Sequence, residues 1–358
     1  MRQREISAQF AASIRTLKLN LDRFRELAGK YARLRIAVVG DFCLDRYLEI
    51  DASKKETSIE TGLPVHNIVR LRAQPGGAGT ILNNLEALGV GIIYPLGFAG
   101  EDGEGFELRR ALETRRGVRM NHFLTTDQRQ TFTYCKPLLV SPHQAPKELS
   151  RLDTKNWTKT PEKVEGALIE HLRKVINEVD AMVVLDQVPL PDTGVVTARM
   201  IELLQGIGAA NPDLVIIADS RRGLSRFRNV TLKMNAAELA ALSGAQSELS
   251  LSQIKDATVS LALERKRRVF VTCAERGIVG ANPDGEVELV PALPLRGEID
   301  IVGAGDTVTA NLVTSMMSGA GLLESLEVAN AAASIVIHKL GTTGSASPHE
   351  IEQLLAPP

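Results

Sequence analysis

Four short apolar runs, Arg35–Gly40, Ala181–Asp186, Leu214–Asp219 and Val269–Cys273, constrain this chain more than any other feature. The first is continuous in apolar character, as a strand covered on both faces must be. Helical stretches lie between the runs: Val164–Glu178 precedes the second and Gly194–Gly206 the third. Strands alternating with helices predict an α/β fold built on a doubly wound, mostly parallel sheet. In such sheets ligands collect beyond the carboxyl ends of the strands. The residues just after each run are therefore the first place to look for chemistry.

Composition narrows the class. The 358 residues, 44% hydrophobic and 24% charged, suit one large decorated domain or two domains. A net charge of -1 gives no whole-molecule attraction to nucleic acid or to a membrane surface. Cys43, Cys135 and Cys273 lie far apart without metal spacing, an odd and sparse set that fits a reducing, cytoplasmic setting. No apolar run approaches a membrane span, and the basic N-terminus has no signal-peptide core.

Two regions break the rhythm. Residues 6–33 read as one amphipathic helix, with Phe10, Ile14, Leu17, Leu21, Phe24, Ala28 and Tyr31 recurring every three or four positions. The segment 1–34 is thus a helical extension, packed on the body or serving a partner. Segments of about 46–75 and 118–150 are charge-rich, extended and loop-like, and predict a small β lid outside the main sheet. Between them, a helix from Thr80 to Leu88 is closed by Gly89, followed by a strand Ile92–Gly97 and a helix Glu104–Arg116. Ser347-Pro348-His349-Glu350 is a capping box that starts a final helix.

The chemistry concentrates at Gly303-Ala304-Gly305-Asp306, where an apolar approach meets two glycines, a carboxylate and then the small-residue and apolar run Thr307–Ser318. That is a loop feeding a helix N-terminus. The free N–H groups of a first helical turn, with the helix dipole, favour an anion such as a phosphate. Asp306 would stand beside that anion as a general base; the plainer reading is a tight turn with a helix-start carboxylate.

Other segments agree. Ala37-Val38-Val39-Gly40-Asp41 leads to Asp45, Pro75-Gly76-Gly77-Ala78-Gly79 runs to Ala87-Leu88-Gly89, and the Asp306 motif is followed by Ala329-Asn330-Ala331-Ala332-Ala333. In this order and spacing, over about residues 35–355, the chain resembles the PfkB (ribokinase-like) family of sugar kinases. Gly40–Tyr47 and Lys339-Leu340-Gly341-Thr342 look most like its heptose-7-phosphate kinase branch.

The resemblance implies roles, residue by residue. Asp306 is the catalytic base, with Gly303, Ala304 and Gly305 supplying the anion hole. Asp45 binds sugar hydroxyls; Asp41 either joins it or orients the loop. Gly76 and Gly77 let the sugar approach the backbone. Thr80 replaces the family's sugar-binding Asn, and Asn84, one turn on, could face the same side. Asn235 and Glu238 form the Asn-x-x-Glu motif that organises Mg2+ and nucleotide phosphates, with Glu238 acting through water; the plainer reading is a helix cap. Thr272, Glu275 and Gly277 match the nucleotide-side turn, Asn330 a residue near the adenine, and Asp300 a residue linked to a monovalent cation. Arg221 or Arg222 could meet nucleotide phosphate, and Lys136 on a lid strand is a candidate for a phosphate already on the sugar.

The expectation is ATP- and Mg2+-dependent phosphorylation of a sugar or sugar phosphate, heptose 7-phosphate leading, with K+ a further cofactor and a homodimer formed through the lids. No nucleotidyltransferase segment follows, so kinase chemistry alone is expected. Glu60-Thr61-Gly62-Leu63 and Leu185–Pro191 depart from the heptose branch, which leaves ribose or fructose as other acceptors. Thr80, Met234 and Val188–Pro191 motivate an alternative from another class, a sugar- or nucleotide-binding regulator with weak catalysis. A dinucleotide oxidoreductase fails, because no Gly-x-Gly-x-x-Gly follows the first strand.

Overall fold

The computed structural model describes residues 17–141, 146–341 and 343–356. Helix α1 (Leu21–Ala28) and a short 3-10 turn (Tyr31–Arg33) precede β1 (Arg35–Gly40). Strands β2 (Phe42–Thr57) and β3 (Pro64–Gly77) form a long hairpin and are followed by α2 (Ala78–Leu88). Then come β4 (Ile92–Gly100), α3 (Gly103–Glu113), β5 (Phe123–Thr126), β6 (Phe132–Val140), β7 (Lys147–Glu148) and β8 (Leu152–Thr154). The second half runs α4 (Glu162–Val175), β9 (Ala181–Asp186), α5 (Ala198–Ala210), β10 (Val215–Ser220), β11 (Thr231–Asn235) and α6 (Ala236–Leu242). It ends with α7 (Leu251–Arg265), β12 (Val269–Thr272), β13 (Ile278–Ala281), β14 (Val287–Val290), α8 (Ala304–Met317), α9 (Leu322–Val336) and α10 (Pro348–Leu355).

The main sheet has the order β14-β13-β12-β11-β10-β9-β1-β4-β5. Its neighbours pair in parallel except β12–β13 and β13–β14. Side chains alternate across it: Ile36 and Val38 join a core with α2, α8, α9 and α10, whereas Ala37 and Val39 join one with α4, α5 and α7. The sheet is doubly wound, as the apolar runs predict. The lid is a separate sheet, β3-β2-β6-β7, with β8 also on β6.

Several boundaries differ from expectation. Residues 6–33 do not form one helix: Leu17–Leu19 are non-helical and α1 starts only after Asn20, whose side chain accepts from the Arg23 N–H. Glu327 explains the break. Its buried carboxylate accepts the Lys18 and Leu19 N–H groups at 2.8 and 2.7 Å, so this stretch follows α9 rather than its own periodicity. Phe24, Leu27 and Tyr31 are buried in the body, while residues 6–16 lie outside the described residues. The second lid segment begins later than expected, because β5 pairs in parallel with β4 and extends the main sheet. Helix α5 starts at Ala198 rather than Gly194, because Thr197 caps it by accepting from the Met200 N–H. The hairpin β13–β14 and helix α7 were not anticipated, although Ser250 and Gln253 spell a capping box that starts α7.

Candidate active site

The carboxyl ends of β1, β9, β10, β11 and β12 deliver Asp41, Asp186, Asp219, Asn235 and Thr272 to one edge of the sheet. Helix α8 brings Asp306 to the same edge. Gly303 adopts a left-handed φ of 84° as its N-cap, and no side chain caps the helix. A Cβ on Gly303 would come within 3.2 Å of Thr343, and one on Gly305 within 3.0 Å of Lys233 Nζ. Ala304 N–H turns back to the Ile301 carbonyl at 3.2 Å. Of the three expected anion-hole N–H groups, that of Ala304 is therefore already engaged.

Asp306 is half-buried beside these groups. Burial pushes its carboxyl up to about 7, with Asp219 and Asp45 reinforcing the shift and Lys233 and Arg221 opposing it. A carboxylate poised near neutrality suits general-base work. Asp45, on β2, is 6% exposed, and no hydrogen bond reaches its carboxylate among the described residues. Burial raises it too, opposed by Lys136, Arg151 and Arg221. A Cβ on Gly76 would sit 2.6 Å from Asp45 Oδ2, so this glycine makes room for the carboxylate. A buried acceptor without donors, close enough to Asp306 to act on its charge, is what a polyol would satisfy.

Other expected residues are committed elsewhere. Asp41 accepts from the Gln187, Val188 and Val195 N–H groups at 2.9, 3.3 and 2.7 Å. It staples the 187–195 loop and does not reach for sugar; burial, then Asp186, lifts it to about 6. Gly77, with φ 58°, is required because a Cβ would fall 2.5 Å from the Asp41 carbonyl oxygen. Asn84 is fully buried, donating to the Thr80 carbonyl at 2.9 Å and accepting from Thr307 Oγ1 at 3.0 Å. It braces α2 against the helix that carries Asp306, which corrects its expected place at the sugar. Thr80 is buried in the first turn of α2.

On the nucleotide side, Asn235 and Glu238 form a complete capping box, at 2.9 and 2.7 Å. Burial raises the Glu238 carboxyl, and Asp219 acts in the same direction. Thr272 Oγ1 donates to the Met234 carbonyl at 3.4 Å, and Glu275 sits in an exposed 3-10 turn. Gly277 (φ 102°) is demanded by backbone contact: a Cβ would lie 2.0 Å from the Val290 carbonyl oxygen. Asn330 donates to the Pro291 carbonyl at 2.9 Å. Asp300 accepts from the Val302 and Gly341 N–H groups, one on each oxygen, at 3.0 and 3.2 Å. Among the described residues no group of three or more His, Cys, Asp or Glu could hold a metal. A Mg2+ ion here would be held mainly by nucleotide oxygens and water, with Glu238 beyond them.

The two arginines are placed differently. Arg222 is tied to Asp186 at 2.8 Å and to the Val196 carbonyl at 3.1 Å. Arg221 is exposed, in no ion pair among the described residues, and acts electrostatically on Asp306, Asp45 and Glu238. Sequence reasoning missed Lys233, a 5%-exposed lysine whose Nζ lies 2.7 Å from Asp219 Oδ2. The available signal was a charge within the apolar stretch Leu232–Met234 just before Asn235.

A family model described as pfkB family carbohydrate kinase matches residues 34–350. The chain belongs to this family. It is accordingly a phosphotransferase of the carbohydrate kinase family. The bifunctional protein HldE of Azorhizobium caulinodans is 32% identical over 313 residues, 86% of this chain. That of Hyphomonas neptunium is 31% identical over 340 residues, 93% of this chain. The chain spans 61% and 66% of those two relatives' lengths. Among solved structures, Arabidopsis thaliana ribokinase complexed with ribose and ATP superposes with a TM-score of 0.64 at 19% identity, covering 90% of this chain and 98% of that one. Phosphofructokinase-2 from Escherichia coli, in complex with fructose-6-phosphate, gives 0.66 at 17% identity, with 90% and 98% covered. These likenesses show the ribokinase-like fold. Among the described residues no helix is long and apolar enough to cross a membrane.

Proposed function

We propose that this chain transfers the γ-phosphoryl group of ATP to a hydroxyl of a sugar phosphate, with heptose 7-phosphate the leading acceptor. The observation that carries the reading is Asp306 in the first turn of α8, within electrostatic reach of an Asp45 carboxylate that has no hydrogen-bond donor among the described residues. Asp45 holds sugar hydroxyls, Asp306 takes the proton of the reacting one, and that oxygen attacks the γ-phosphorus in line. The Gly305 and Asp306 N–H groups and Arg221 receive the charge that develops on the transferring group. Mg2+, bound through phosphates and water, neutralises the nucleotide.

The lid supports an acceptor that already carries phosphate. Asp45, Tyr47 and Glu49 lie in register with Gln74, Arg72 and Arg70 on one side, and Asp45 and Tyr47 with Tyr134 and Lys136 on the other, so they share a face. Lys136 Nζ and Arg72 Cζ each lie 4.8 Å from the Tyr47 ring centroid. Arg72 is paired with Glu49, but Lys136 meets no carboxylate within ion-pair distance among the described residues. An unneutralised lysine two rungs from Asp45 fits a phosphate remote from the reacting hydroxyl. The relatives named HldE weigh toward heptose; ribose and fructose remain as other acceptors.

The exposed Ile59, Leu63, Ile68, Val69 and Leu71 of the lid hairpin support a homodimer joined there. Turnover of a panel containing heptose 7-phosphate, fructose 6-phosphate, ribose and fructose, with ATP and Mg2+, tests the reading. ADP release that depends on a phosphorylated acceptor is expected. Sugar and nucleotide binding with no ADP release from any acceptor would favour a binding regulator instead.

A further inference from the structure

Lys233 has no place in the chemistry described so far, yet its position is unusual. Strand β11 is interior to the sheet, and Lys233 pairs in register with Phe270, which joins the core beneath α8 and α9. An ammonium in such a place loses its hydration, and a methionine would fill the same volume more cheaply. The group is nevertheless held charged. Burial pushes it toward neutrality, but Asp219, with Asp306 and Glu238 behind it, more than offsets this and leaves it above the ordinary lysine range. Asp219 fixes the ammonium at 2.7 Å, and Gly305 leaves the space that brings it against the first turn of α8.

We propose, resting on the kinase reading above, that Lys233 is a positioning residue of the phosphoryl-transfer site. Clamped by Asp219 under the N-terminus of α8, it supplies the fixed positive charge that keeps Asp306 ionised and able to accept the hydroxyl proton. The charged groups acting on Asp306 are Lys233 from β11, Asp219 and Arg221 from the end of β10, and Asp45 from the lid. Of the two cations, Arg221 is exposed and screened by water, whereas Lys233 is dry. Removing Lys233 leaves two carboxylates, Asp219 and Asp45, acting on a third. Asp306 then holds its proton to higher pH, and less of the enzyme carries an active base at neutrality.

The test is the ionisation midpoint of Asp306, followed by carbon-13 NMR of labelled aspartate carboxyls and assigned with Asp306→Asn. It is measured on full-length wild type, Lys233→Met and Lys233→Arg, with thermal unfolding as the check that each is folded. An opposite charge at close range lowers a carboxyl by about one to three pH units, so Lys233→Met should raise the midpoint by about one unit or more. Lys233→Arg keeps the charge and should stay near wild type. The acid limb of the kcat pH profile should move with the midpoint, while KM for ATP changes less than threefold. An unchanged midpoint in folded Lys233→Met overturns the proposal even where the wild type is an active kinase. A midpoint that moves in a chain that phosphorylates no acceptor overturns the kinase reading, and the transfer role with it. If Lys233→Met does not fold, Lys233→Gln is read by the same criterion.

Discussion

Replacing Asp306 with asparagine should destroy activity and strengthen the fold, and the second effect can be sized from the structure. The ordinary aspartate value of 3.8 rises to about 7 in the folded chain, chiefly through burial. A carboxyl raised in this way is bound more favourably protonated than ionised. Its stabilising contribution is therefore fully present below about pH 4 and is lost as pH climbs through about 7. The gap of about three pH units, at ~1.4 kcal/mol each, puts the cost of the ionised group at about 4 kcal/mol above neutrality. The cleft admits water to the half-buried side chain, so this is a ceiling. At about 2.1 cal/mol/K per residue, 358 residues have an unfolding entropy near 0.75 kcal/mol/K, which converts the ceiling to about 5 °C. Asparagine is nearly isosteric and carries no charge at any pH. Melting curves of both proteins, without nucleotide, should draw apart in favour of Asp306→Asn between pH 5 and pH 8. The variant's kcat should fall by about 10²–10⁴-fold. Parallel melting points across that range would refute the buried-base account, and retention of more than half of wild-type kcat would refute the base itself.

Three further expectations follow from other parts of the molecule. Asp45→Ala removes a charged acceptor worth roughly 1.5–3 kcal/mol, so KM for the sugar should rise by about 10–150-fold with KM for ATP little changed; calorimetry showing the reverse would exchange the two half-sites. Arg222→Leu leaves Asp186, which is 0% exposed, as an uncompensated charge and should cost about 3–5 kcal/mol by urea unfolding, whereas Arg221→Leu should cost little stability and instead weaken ATP use. The full chain should sediment as a dimer at tens of micromolar, and Leu63→Asp should dissociate it; a monomeric wild type would reject lid pairing, and a dimer that survives Leu63→Asp would place the contact elsewhere.

The parallel strands and their helix cover were legible because each parallel strand has to be apolar on both faces, a pattern visible without any neighbour. Asp306 and its glycines were legible for a similar reason, since a helix start beside a ligand has a local grammar. Asn84 was misread, and Asp41 was left between two roles, because what decides them is distant in sequence. Nothing near Asp41 announces that the Gln187, Val188 and Val195 N–H groups will converge on it, and nothing near Asn84 announces Thr307. Lys233 was given no role because its meaning lies in Asp219 and Gly305, which are brought to it only by the sheet and α8. The single-helix reading failed at Leu17–Leu19, because a carboxylate on α9 captures the Lys18 and Leu19 N–H groups.

The pairing of β2 with β3 is continuous from Phe42–Gly77 to Glu49–Arg70, then slips at Glu49/Ile50 and again before Lys55–His66. The rungs below the slip carry Asp45, Tyr47 and their partners; those above it carry the exposed hairpin tip. At about 3.3 Å per residue, the tip stands some 40 Å or more along the strand from Asp45. A break in register decouples the two stretches, because side chains above it need not keep the facing of those below. Residues 55–64 can therefore drift, lengthen or change partner over evolutionary time without reorienting Asp45. The tip of the flap can change while the rungs around Asp45 keep their facing.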